Sequence, residues 1–212
     1  MGLMSGIQGL LGKGERCCND DALLAGVQLA YSAAASDPFR QHPFPVGKSF
    51  AESVGYPKEL LDSLPDEASA SFAGVGNVGV VAEIGAASTV LDLGCGTGLD
   101  SLLAAAKAGP SGRVVGVDFS AAMLGKAIVA SRRAGAKNIL YCCADAGRLP
   151  LPGHTIDVAL VNGIFNLNPV RGRLFMEMAR VLKPGGVVHA TELVFTRPQE
   201  TKPVRNLKDW FA

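Results

Sequence analysis

The sequence predicts an α/β fold: a doubly wound, mainly parallel, Rossmann-like sheet preceded by an N-terminal helical cap. Three observations predict it. From Ser88 onward, short continuous apolar runs alternate with amphipathic helical stretches, the pattern of parallel strands buried on both faces. The first apolar run, VLDLG, enters a turn with glycine at every second position, Gly94, Gly96 and Gly98. Before residue 85 the texture differs, with many turn residues and few strand-like runs. The chain is therefore divided into a cap, 1–85, and a cofactor-binding sheet unit, 86–212.

Each element follows from local chemistry. A helix is expected from about Asp20 to Ala35, capped by Asn19 or Asp20, with Leu23, Leu24, Val27 and Tyr31 at helical spacing. A short helix at Lys58–Ser63 has Pro57 at its first turn. The segments DPFRQHPFPVG and SFAGVGNVG read as turns. TVLDLG is the first strand. LDSLLAAAKAG is helical and stops at Gly109-Pro110. RVVGVDF is the second strand, and Ser120 can cap the following helix, which Gly135 ends. NILYCCAD, TIDVALVNGIF and GVVHATELVF supply strands three to five. The helix VRGRLFMEMARVLKPGG precedes the fifth, with Lys183-Pro184-Gly185-Gly186 as the turn into it. The right-handed crossover rule makes this arrangement doubly wound and puts ligands at the carboxyl ends of the strands.

The totals narrow the function. The chain has 212 residues, 48% of them hydrophobic and 18% charged, with a formal net charge of +1. That is a globular composition with no electrostatic bias toward nucleic acid or an anionic membrane surface. No apolar run approaches the roughly 20 residues of a spanning helix. The start, MGLMSGIQGLLGKGER, lacks a basic region and cleavage site. Five cysteines, two pairs of them adjacent (Cys17-Cys18 and Cys142-Cys143), make a poor disulfide framework and point to a reducing cytoplasm. No Cys/His spacing indicates a metal site.

The glycine turn narrows it further. A dinucleotide fingerprint reads G-x-G-x-x-G; here the spacing from Gly94 is G-x-G-x-G, and Leu99 stands where the third dinucleotide glycine would fall. That argues against a nicotinamide oxidoreductase. Asp92 and Asp100 flank the turn, and two carboxylates repel a pyrophosphate. They suit a cofactor with an ammonium and no phosphate, such as S-adenosylmethionine. Asp118 closes the second strand 20 residues after Gly98, placed to accept from ribose hydroxyls. Asp145 follows the third strand and can accept from an adenine amino group, with the N–H of Ala146 donating to the ring. Phe119 and Met123 offer apolar surfaces to the adenine, and Cys95 is a small turn filler.

The phrases VLDLGCGTGLDSLLAA, GRVVGVDFSAAML, ADAGRLPLPGHTIDVALVNGIFNL and MARVLKPGG resemble the class I S-adenosylmethionine-dependent methyltransferases. Within them, Leu99-Asp100-Ser101, Gly109-Pro110, Asn162 followed by Asn166-Leu167, and a preceding YP…LP…GVGN segment resemble the arsenite methyltransferase-like group, over residues 56–195. The resemblance implies methyl transfer to a small-molecule acceptor, a thiol-bound metalloid such as arsenite being one candidate. It implies that Asp92, Gly94, Gly96 and Gly98 hold the methionine end, Asp118 the ribose, and Asp145 with Ala146 the adenine. Asn162 is expected beside the methionine end. The Ser71–Asn77 loop, Asn77 included, is expected to fold over the donor.

Two departures stand out. The family places a thiolate immediately after the fourth-strand asparagine, where this chain has Gly163, and soft arsenic wants thiolate. Cys17 and Cys18 are candidates for the family's N-terminal thiols, but two adjacent thiols alone make a poor trigonal site. Strands six and seven are missing from the sequence pattern, so two expectations stand: a truncated native protein, or a sheet edge completed by a second copy or another chain. Trp210 and Phe211 are candidates for such a contact. Tyr31, His42 and Tyr56 lie in the cap as candidates to face the reacting group. The competing reading is a non-catalytic, partner-dependent S-adenosylmethionine-binding module.

Overall fold

The computed structural model describes residues 20–194 and 196–197. Cys17, Cys18, Trp210 and Phe211 lie outside them. Five helices precede the first strand: α1 (Asp20–Ser36), α2 (Lys48–Ser53), α3 (Lys58–Asp62), α4 (Asp66–Ser69) and α5 (Val78–Val81). The sheet unit runs β1 (Thr89–Leu93), α6 (Leu99–Ala108), β2 (Arg113–Asp118), α7 (Ala121–Arg133), β3 (Ile139–Cys143), β4 (Ile156–Asn162), α8 (Arg171–Val181) and β5 (Leu182–Thr191). Strand order is β3-β2-β1-β4-β5, with every pairing parallel. This is the doubly wound Rossmann-like sheet that the alternation of strands and helices predicts. The chain reverses direction between β1 and β4, so the carboxyl end of β1 opens onto the crevice where such folds bind ligands.

β1 sits in the centre, and its alternation sorts the core. Leu91 and Leu93 face one side with Val161, Leu174, Met178 and Val181, against α8. Val90 faces the other with Val114, Leu160, Ala104 and Ala108, against α5 and α6. Side chains two apart on a strand share a face, so Asp92 points with Val90 toward α6 rather than toward the strand ends. The alanines of α6 let it lie close on the sheet.

The cap packs on the helices that follow β1 and β2. Tyr56, Leu61 and Phe72 bury against Leu99, Leu102 and Leu103 of α6 and Ala130 of α7. α1 lies over the start of α7, where Ala34, Ala35 and Met123 form a small cluster. Polar bonds fix its register: Gln28 Nε2 donates to the Phe119 carbonyl at 2.6 Å, and the Ser32 and Ser120 hydroxyls meet at 2.8 Å.

Three details differ from the sequence expectation. Three short helices have no counterpart in the expectation, α2, α4 and α5, of six, four and four residues, too short for a periodic pattern to show; α5 begins inside the SFAGVGNVG stretch. The Lys183–Gly186 stretch is a bulge within β5 rather than a turn before it, since Ile156 pairs with Leu182 and Val158 with Val187. Strand five pairs only as far as Thr191, beside Asn162, so Glu192, Leu193 and Val194 of the expected strand lie beyond it.

Ser120 caps α7, accepting from the Met123 N–H at 3.3 Å, and also meets α1. Ser120→Ala is expected to cost about 1 kcal/mol from the lost cap, with a further loss from the broken Ser32 contact. Urea unfolding of Ser120→Ala and Ser32→Ala, singly and together, checks this; additive losses would show that the two hydroxyls do not interact.

Candidate functional site

The glycine turn makes the site possible. Gly94, Gly96 and Gly98 all adopt positive φ, at 75°, 52° and 84°, which side chains other than glycine rarely tolerate. The turn therefore bends tightly out of β1 into α6. A Cβ on Gly96 would point into open space, so this backbone forms a bare wall of a cavity. The cavity lies at the carboxyl ends of β1, β2 and β4. Its other walls come from α1 (Leu24, Val27, Tyr31), from the Ser71–Gly74 loop, and from the segment after β4 (Ile164, Leu167, Asn168).

Asp118 ends β2 at the cavity wall. One carboxylate oxygen accepts from the Gly96 N–H at 2.9 Å and the other from the Ser120 N–H at 2.8 Å. Burial pushes its pKa up, and those backbone bonds oppose the rise. Each oxygen keeps acceptor capacity toward the cavity. Phe119, Met123, Asp145 and Ala146 line the same wall. Asp145 is exposed and accepts from the Gly147 N–H at 2.8 Å. The loop behind it is braced from α8: Glu177 accepts from the Leu149 N–H, and Arg180 donates to the Leu149 and Leu151 carbonyls.

Asp92 and Asp100 occupy different positions. Asp92 is buried beneath α6, accepts from the Ser101 hydroxyl at 2.6 Å, and is not part of the cavity wall. Burial first, then the nearby Asp100 charge, pushes its pKa up to about 8. Asp100 does line the cavity. It accepts from the Tyr56 hydroxyl at 2.5 Å, the Gly79 N–H at 3.0 Å and the Asn162 amide at 3.0 Å. Burial raises its pKa too, against the pull of these bonds. Among the described residues none of Asp92, Asp100 and Asp118 has an ion-pair partner. Lys107, whose charge favours ionised Asp100, spends its ammonium on the Val80 and Ala82 carbonyls.

Asn162 knits the site to the cap. Its amide oxygen accepts from the Val75 and Gly76 N–H groups and the Thr191 hydroxyl, while its nitrogen reaches the Gly76 carbonyl, the Tyr56 hydroxyl and Asp100. The 71–77 loop therefore packs over the end of β4, and its Ser71–Gly74 part forms cavity wall. Asn77 instead turns away and donates to the Gly55 carbonyl.

The remaining expected residues divide similarly. Gly94, Cys95, Gly96 and Asn162 line the cavity; Gly98 does not, and packs against Ala127 and the Tyr141 hydroxyl. Tyr31 lines it, stacked on Phe44 at 4.4 Å. Burial first, then the Asp118 and Glu192 charges, raises its pKa, so it remains a neutral phenol. His42 lies outside the cavity wall, bonded to the Asp37 carbonyl. The Cys95 thiol is buried and its pKa raised well above the ordinary value, chiefly by that burial. Cys142 packs against the core, and the exposed Cys143 thiol contacts the Phe119 carbonyl. No group of three His, Cys, Asp or Glu among the described residues could hold a metal. Gly163 takes a positive φ of 75°, and a Cβ there would lie 3.1 Å from the Val75 side chain. Sequence reasoning singled out Tyr56 and Asp100 but missed that they touch. Ser101 and Val75 stand in the phrases that carry the resemblance and Gly79 in a stretch read as a turn, but nothing in the sequence marks their bonds to Asp92, Asn162 and Asp100.

Fold and cavity together define an α/β nucleotide-cofactor-binding domain with a carboxylate-rich, phosphate-averse pocket. Over residues 84–212 the sequence matches the family described as a methyltransferase domain, and the chain belongs to that family. It is 32% identical to an arsenite methyltransferase of Halobacterium salinarum over 190 residues, 90% of this chain and 46% of that protein. It is 36% identical to a demethylmenaquinone methyltransferase of Lactococcus lactis over 104 residues, 49% of this chain and 41% of that protein. Among solved structures, CrArsM, an arsenic(III) S-adenosylmethionine methyltransferase from Chlamydomonas reinhardtii, superposes with a TM-score of 0.52 at 29% identity, over 76% of this chain and 48% of that one. A methyltransferase from Aquifex aeolicus shares the fold, with a TM-score of 0.54 at 20% identity, over 80% of this chain and 81% of that one. The chain spans just under half the length of the curated relatives it matches. No helix among the described residues is long and apolar enough to cross a membrane.

The cofactor of this family is S-adenosylmethionine, and the cavity fits it. Buried carboxylates without ion-pair partners suit its positive charge, Asp118 stands ready for hydroxyl donors, and the bare Gly96 wall admits close approach.

Asp92 gives this site a pH signature. Its folded pKa lies above its ordinary 3.8, so between about pH 4 and pH 8 the folded chain holds a proton that the unfolded chain releases. That contribution is fully present below about pH 4 and is lost as pH rises toward 8. Asp100 and Asp118 shift in the same direction. The melting temperature of the cofactor-free protein is expected to fall from pH 5 to pH 8, and Asp92→Asn to flatten the fall. An unchanged slope in Asp92→Asn would show that Asp92 ionises normally in the fold.

Proposed function

We propose that this chain transfers a methyl group from S-adenosylmethionine to a small organic acceptor. The observation that carries the reading is one cavity with two chemically different walls. The carboxylate and glycine wall, from the strand ends, is built for the donor. The rest of its lining, from α1 and the segment after β4, is mostly hydrocarbon: Leu24, Val27, Ile164 and Leu167, with the Tyr31 phenol among them. Transfer from a sulfonium needs positioning and exclusion of water more than acid–base chemistry, because the donor is already activated. The cavity is consistent with that. Tyr31 and Cys95 are both driven away from the neutral range that suits a general base. An acceptor that is nucleophilic without first losing a proton fits such a site.

Arsenite is the second reading, favoured by relatives that carry that name. Two observations weigh against it. The position of the family's thiolate is Gly163, and Val75 fills the space beside it. Among the described residues only one cysteine, Cys95, lines the cavity, and its thiol is held protonated.

Isothermal titration is expected to show saturable S-adenosylmethionine binding by the intact chain. Asp118→Ala is expected to weaken it by roughly ten- to a hundredfold, the range of a lost hydrogen bond to a charged group. No binding by the intact chain would sink the reading. Incubation with arsenite, thiol reductant and donor is expected to yield no methylated arsenic. Formation of methylarsenic species abolished by Cys17→Ser with Cys18→Ser would establish the second reading instead.

A further inference from the structure

We propose that Asp100, rather than the strand-borne Asp92, is the counter-ion for the ammonium group at the methionine end of the cofactor, and that the cap residue Tyr56 holds it in place. The proposal rests on the reading of this cavity as the S-adenosylmethionine site. Both acids flank the glycine turn in sequence, but only Asp100 reaches the cavity. The alternation of β1 turns Asp92 under α6, where Ser101 covers it. Asp100 sits in the first turn of α6, beside Asn162 and the Gly94–Gly96 backbone, all of which line the cavity.

The surroundings of Asp100 are built around its charge. One oxygen takes both the Tyr56 hydroxyl and the Gly79 N–H; the other takes only the Asn162 amide. The second oxygen keeps capacity for another donor. Gly79 approaches so closely that a Cβ on it would overlap the carboxylate, so a side chain there would displace Asp100. Three neutral donors orient the carboxylate without cancelling its charge, and no described cation pairs with it. A ligand ammonium supplies the missing positive partner, as a charge-assisted hydrogen bond. Because Tyr56 and Gly79 belong to the cap, the amino-acid end of the cofactor is read jointly by cap and sheet.

Two ligands that share the adenosine and a neutral sulfur separate this role from a structural one. S-adenosylhomocysteine carries the ammonium; 5′-methylthioadenosine lacks the entire amino-acid end. In calorimetric titrations of the full chain, Asp100→Asn is expected to weaken S-adenosylhomocysteine by at least tenfold and to leave 5′-methylthioadenosine within about twofold. Asp92→Asn is expected to change the two ligands equally. Tyr56→Phe, which keeps the carboxylate and removes one of its donors, is expected to weaken S-adenosylhomocysteine severalfold and spare the shorter ligand; it also serves if Asp100→Asn does not fold. Equal losses for both ligands in Asp100→Asn and Tyr56→Phe, or a selective loss in Asp92→Asn, would overturn the proposal. Failure of the wild type to bind either ligand would instead overturn the cofactor site itself.

Discussion

Three carboxylates, Asp92, Asp100 and Asp118, are buried around one turn of backbone with no ion-pair partner among the described residues. Burying an ionised carboxylate is expensive unless it is paired or richly hydrogen-bonded. The fold meets this demand in two ways. Asp92, deepest in the sheet, is pushed toward its neutral form and takes its hydrogen bonds from Ser101. Asp118 and Asp100 are given backbone and side-chain donors instead, and both face the cavity. Much of the surrounding architecture exists to deliver those donors. The glycine turn presents the Gly96 N–H to Asp118, the Ser120 N–H completes it, and α5 brings the Gly79 N–H to Asp100.

That constraint explains why the cap cannot be regarded as a separate piece merely resting on a cofactor domain. Its residues contribute two of the three donors to Asp100. Its 71–77 loop is held by Asn162 at the end of β4 and supplies a wall of the cavity. Its first helix is bonded to the turn after β2 through Gln28 and Ser32. Cap and sheet meet at polar points around the cavity and at apolar ones behind it, where Tyr56 and Phe72 bury against α6.

Much of this was legible in the sequence, for identifiable reasons. Parallel strands buried on both faces read as continuous apolar runs, so the sheet was plain. The glycine turn was plain because three positive φ values in five residues leave little choice but glycine. Asp118 was legible because it ends a strand. What stayed hidden depended on direction rather than composition. Asp92 belongs to the motif by spacing, yet strand alternation sends it to the face of Val90. His42, a chemically attractive side chain in the cap, closes a local turn onto the Asp37 carbonyl and never reaches the cavity. The contact between Tyr56 and Asp100, 44 residues apart, had no local signature. Helices of four residues show no period to read.

Gly163 shows how one position can speak about the acceptor as well as about the backbone. Its positive φ and the neighbouring Val75 methyls together resist any side chain there. A side chain at this place would require a strained backbone and a small shift of the Val75 methyls, which belong to a loop anchored by the two N–H groups that Asn162 accepts. The loop that Asn162 holds over the end of β4 therefore sets its Val75 side chain beside Gly163. In the proposed reading, the Val75 hydrocarbon lies beside the position where the family would place a thiolate.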